Sequence, residues 1–153
     1  MNQKKFFNVY TSSVKTLNTT MALTTIKSQR TAATVVRYLM GLIFFVFGLN
    51  GLFNFIPTPP MEGDLGTFMT GLMASGYFFP LLKGTEVVAG ILLLSGFYVP
   101  LAVAVLGPIT LNIFFVHATM EPSGLPMAIF VLLGNLFLAY AYRENFKGIF
   151  EKK

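Results

Sequence analysis

No cysteine occurs among the 153 residues, which excludes a disulfide, a thiol nucleophile, a persulfide relay and any Cys-held cluster or zinc site. A single histidine, His117, excludes a haem held by two histidines of one chain and a multi-His metal centre. Charge is scarce as well. Asp, Glu, Lys and Arg together make up 11% of the residues, against roughly 25% in soluble globular chains, too little to clothe a water-facing surface.

What fills the chain instead is apolar. Hydrophobic residues account for 54%, with 17 Phe and no Trp, and the mean hydropathy is +0.68. Four runs stand out, at 33–56, 77–98, 100–118 and 125–142. Each is about long enough to cross a ~30 Å hydrocarbon core as a helix, and helix is required because backbone groups in lipid must be satisfied within the segment. The expectation is an all-α integral membrane four-helix bundle. Pro80 falls in the first turn of the second span, where its missing N–H costs little, whereas Pro108 lies inside the third and should kink it.

The net charge of +5 does not point to nucleic acid, because the basic residues flank apolar segments at the two ends. The division expected is an arm at 1–30, basic, Ser/Thr-rich and partly disordered, followed by a membrane domain at 31–153. The arm lacks the long apolar run of a secretory signal. It shares its composition with organelle presequences, and Met21 is an alternative start to Met1. Arm, Arg37 and the tail Arg143–Lys153 hold ten of the eleven Lys and Arg, while the loops 57–76 and 119–124 hold none and carry Glu62, Asp64 and Glu121. By the positive-inside rule both termini are cytoplasmic, the loops face outward, and Arg37 is a snorkelling anchor at the inner face.

Within the first outer loop, Pro57-Thr58-Pro59-Pro60 reads as a stiff turn and Asp64 as a helix N-cap. Leu65, Phe68, Met69, Leu72 and Met73 then recur at the spacing of an amphipathic helix, one suited to lie flat on the outer surface over the bundle. A plain packed loop is the alternative.

Polar side chains inside spans are costly and therefore the default functional candidates. Counting ~1.5 Å per residue places Asn50, Lys83 and Asn112 each about 9 Å below the outer boundary, and Glu86 near 13 Å. Asn54 and His117 fall close to the surface. Three helices thus contribute Asn50, Asn54, Lys83, Glu86, Asn112 and His117 to one layer of the outer half. Two readings stand. The groups act as interhelical glue, or they line a small cavity in which Lys83, Asn50, Asn112 and His117 donate to a head group or quinone carbonyl and Glu86 accepts or relays a proton. Asn135, isolated near mid-depth of the fourth span, is expected to bond across helices.

The stretches GLIFFVFGLNGLFNFIP, GYFFPLLKGTEVVAGILLL and GPITLNIFFVH resemble the DoxX-like membrane proteins, with G-L-N-G, K-G-x-E, P-x-x-x-N-x-x-x-x-H and a closing Y-R as the shared motifs over roughly 36–148. The resemblance implies a bacterial inner-membrane protein of four helices, linked in some members to quinone and thiosulfate oxidation and to oxidoreductase complexes that handle sulfur and oxidative stress. It brings no set of catalytic residues; the positions matching its motifs are Asn50, Lys83, Glu86, Asn112 and His117. A membrane subunit of a quinone-linked oxidoreductase follows, with no intrinsic cofactor and quinone as the candidate carrier. The alternative is a non-enzymatic accessory or scaffold subunit of a larger envelope complex. Membrane lipid and a partner membrane protein or second copy are the partners expected.

Overall fold

The computed structural model describes the backbone of residues 3–57 and 60–146, with side chains described for these apart from 3–14, 16–20 and 22–27. Met1, Thr58 and Pro59 of the expected stiff turn, and tail residues 147–153 lie outside the described residues. Five helices follow one another: α1 (Gln3–Phe53), α2 (Gly63–Ala74), α3 (Phe78–Ser95), α4 (Val99–Thr119) and α5 (Leu125–Ala141). Four stretches are long and apolar enough to cross a membrane, at Ser28–Phe53, Phe78–Ser95, Val99–Thr119 and Pro122–Ala141, in step with the four runs expected. The chain is thus a multi-pass membrane protein.

Two compact units divide the chain, 1–34 and 35–153. The first is helical from Gln3, as part of the 51-residue α1. The first glycine is Gly41 and the first proline Pro57, so no strong helix breaker precedes the first span. Thr34 Oγ1 donates to the Arg30 carbonyl at 3.0 Å within this unit.

In the second unit the spans close into a ring. α1 meets α3 through glycines: a Cβ on Gly90 would fall 2.6 Å from the Phe45 amide nitrogen and 2.9 Å from the Gly41 carbonyl oxygen. Small residues let backbones approach in lipid, where apolar surface alone gives no drive toward association. α1 meets α5 where Met40 Sδ lies 2.7 Å from a Cβ built on Gly134. α4 packs on both α3 and α5. Met40, Leu93, Leu106 and Leu138, one from each spanning helix, are fully buried at the centre. Pro80 is the third residue of α3, as expected. Pro108 lies inside α4 and cannot donate to the Ala104 carbonyl.

The loop after α1 forms a helix, α2, that rests on α3. Leu65, Phe68, Met69 and Leu72 are half-buried while Thr67 and Thr70 are exposed, the amphipathic pattern expected; Met73 departs from it and is exposed. The start differs by two residues. Glu62, not Asp64, is the N-cap, without a side-chain hydrogen bond. Gly63 at φ 62° turns the chain into the helix earlier than a side-chain cap at Asp64 would, and Asp64 instead stands in the first turn, where its charge favours the helix dipole.

Candidate functional site

The one buried pair of opposite charges among the described residues sits on α3 at its contact with α1. Lys83 Nζ donates to Glu86 Oε2 at 2.9 Å and to Oε1 at 3.1 Å. The spacing of three residues on a helix brings the two heads together. Glu86 is 3% exposed and Lys83 20%. Their stems lie against the glycines of G-L-N-G. A Cβ on Gly51 would meet Lys83 Cδ at 2.5 Å, and one on Gly48 would meet Glu86 Cβ at 3.2 Å. The ammonium also stands 5.8 Å from the centre of the Phe79 ring. With both carboxylate oxygens taken by one ammonium, the pair is closed upon itself, as burial of charge requires.

Asn50 is buried beside this contact, one residue before Gly51. Its amide is engaged with its own chain, accepting from the Ile56 N–H at 2.6 Å and donating to the Ile56 carbonyl at 3.4 Å. It latches the segment leaving α1. Asn54 forms the turn that the latch closes: its φ is 50°, its N–H donates to the Asn50 carbonyl at 2.7 Å, and its side chain is exposed. Asparagine suits this left-handed position better than any residue but glycine.

The other two residues of the expected layer lie elsewhere. Asn112 is exposed on the outside of α4, so it does not join the pair that the depth count grouped it with. His117 is bound into the α4–α5 turn, its Nδ1 3.0 Å from the Glu121 carbonyl oxygen. Because a carbonyl only accepts, Nδ1 carries the proton there. The ring lies over Gly124, where any Cβ would collide with it.

Arg37 corrects the snorkelling expectation. It is 8% exposed, and its Nη1 donates to the Leu93 carbonyl and to that of Leu94 at 3.4 Å. These are orphan carbonyls of the last turn of α3, which ends at Gly96 in the left-handed conformation, φ 79°. A Cβ on Gly96 would lie 3.0 Å from Arg37 Nη1, so glycine serves both the turn and the guanidinium. The sequence signal was present: an arginine inside a span, and a glycine that ends another without a polar cap. Asn135 does bond across helices, donating to Val103 O of α4 at 3.3 Å, next to the stretch of ladder that Pro108 interrupts.

A groove of about 510 Å³ opens between α3 and α4, lined by Pro80, Gly84, Thr85, Val88, Leu101 and Val105 among others. Its lining is apolar, and Thr85 spends its hydroxyl proton on the Leu81 carbonyl at 2.8 Å. Neither Lys83 nor Glu86 reaches it.

The model of the DoxX family matches residues 32–119. That stretch ends with α4, whereas the motif reading ran to 148; past His117 the motifs offer only Tyr142-Arg143. No curated protein and no solved structure matches the chain. With more than half of its length covered, three of its four spans included, the chain belongs to the DoxX family.

Proposed function

We propose that this DoxX-family protein is a non-enzymatic membrane subunit of a larger envelope complex. The observation that carries this reading is the closure of most polar residues of the spans, Asn112 excepted, on their own chain. Asn50, Lys83, Glu86, His117 and Arg37 each bond to groups of the bundle, and none lines the open groove. Purification from native membranes in mild detergent should yield a partner protein in constant ratio to this chain. Recovery without any partner would overturn the reading.

A quinone-linked role is the second reading, favoured by the groove itself. Its volume of about 510 Å³ lies within the ~300–1,000 Å³ usual for small-molecule sites, and its lipid-facing side suits an isoprenoid tail. Organic extraction of the same preparation should give about one quinone per chain in that case, and quinone only at the level of the surrounding lipid otherwise.

We also propose the bacterial inner membrane as its location, from its family, with both termini cytoplasmic, from the placement of Lys and Arg. As the chain has no cysteine, introduced thiols report cleanly. An impermeant maleimide added outside should label Glu62→Cys and Glu121→Cys but not Lys4→Cys or Lys153→Cys. Labelling of Lys153→Cys from outside would invert the topology.

A further inference from the structure

Asn112 poses a problem that the bundle does not solve. It stands on α4 seven residues before Thr119, about 10 Å along the helix from that end. It is exposed, and no described side chain or backbone group bonds to its amide. Elsewhere the exposed positions well inside the described spans carry apolar side chains, Tyr38 apart; Asn112 is the one amide or charge among them. Lipid tails offer it neither donor nor acceptor, and its side chain is too short to snorkel over that distance. An unsatisfied amide in hydrocarbon is costly.

The surroundings of Asn112 repeat. Leu101, Val105, Pro108, Asn112, Phe115 and Thr119 are all exposed and follow at intervals of four, three, four, three and four residues, the spacing of a coiled-coil seam. Leu101 is 56% and Phe115 55% exposed, so the bundle leaves this stripe bare. A single asparagine within an apolar seam is the device by which paired helices set their register.

We propose that α4 forms the seam of a parallel homodimer in the membrane, in which Asn112 of each copy exchanges hydrogen bonds with Asn112 of the other. Symmetry selects this occupant. Copies inserted in one orientation and related by a two-fold axis along the membrane normal bring each depth of α4 against the same depth of its counterpart. An amide both donates and accepts, so two copies of Asn112 complete one another, whereas an unrelated helix would need a polar group placed at that depth by coincidence. The seam needs neither reading of function given above, although it shares Leu101 and Val105 with the groove of the second.

Single-cysteine variants test the seam with Asn112 in place. Oxidation in native membranes should convert Val105→Cys and Phe115→Cys to covalent dimers of this chain, and leave Leu133→Cys on α5 and Val88→Cys on α3 monomeric. In reconstituted bilayers Asn112→Leu should weaken dimerisation roughly 3- to 30-fold, the range for one interhelical polar bond in membranes, while Asn112→Gln retains most of it. Because Asn112 faces away from the core, its replacement leaves the bundle folded. Equal cross-linking at Leu133→Cys, adducts with a different protein at Val105→Cys, or an unchanged dimer in Asn112→Leu would overturn the proposal.

Discussion

Lys83→Met alone should reduce the folded protein recovered from membranes by more than tenfold, and Lys83→Met with Glu86→Leu should restore most of it. Removing one member of a buried ion pair costs ~3–5 kcal/mol because the other is left uncompensated, while replacing both with apolar residues is often neutral. The two halves are unequal. Lys83 keeps 20% exposure on a long stem that can reach toward the interface, so Glu86→Leu should do less damage than Lys83→Met, which strands a carboxylate with 3% exposure. Detergent-resistant folded protein, followed by size-exclusion profile and circular dichroism, measures the order. If the pair is structural, the double variant regains the function of its complex together with its fold; if it serves a ligand, the fold returns without the function. A double variant as damaged as Lys83→Met would refute the mutual compensation.

Gly90→Val is expected to separate α1 from α3 and to lose the folded bundle altogether. The added Cβ meets the backbone of α1 at two points, the Phe45 nitrogen at 2.6 Å and the Gly41 oxygen at 2.9 Å, and backbone cannot swing aside as a side chain can. Overpacking by a single group costs ~1–3 kcal/mol even where side chains adjust. Gly41→Ala meets the Leu94 side chain at 2.9 Å, a neighbour able to yield, and should be milder. Gly84→Ala, with nothing within 4 Å, is the control and should melt like the parent. A Gly90→Val protein with the parental melting profile would show that the helices do not approach this closely.

The apolar spans were legible in the sequence and azimuth was not. A rise of ~1.5 Å per residue tells how far each polar group sits from the end of its span, and run lengths and flanking charges located the spans to within a few residues. Which way a residue points depends on how each helix turns about its own axis. Asn50 and Asn112 count to the same depth along the sequence, yet one is buried beside α3 and the other exposed, because glycines steer α1 onto α3 while α4 turns its Ala102, Val103, Leu106 and Thr110 face inward. The Lys83–Glu86 pair was readable because both members belong to one helix. The task of Arg37 was not, since it depends on where α3 ends against a helix more than 50 residues away in sequence.

The latch at Asn50 has a bearing on how the chain enters the bilayer. Its partner is Ile56, six residues on; Lys83 finds Glu86 at three, and His117 finds Glu121 at four. Each of these polar groups can be satisfied while its own segment is still alone in lipid, before any neighbour has arrived. Arg37 and Asn135 have no such local partner and must wait, the first for α3 and the second for α4. Within the bundle these two buried groups are satisfied only by assembly, so the local pairs ease the entry of their own spans while Arg37 and Asn135 favour closing the ring.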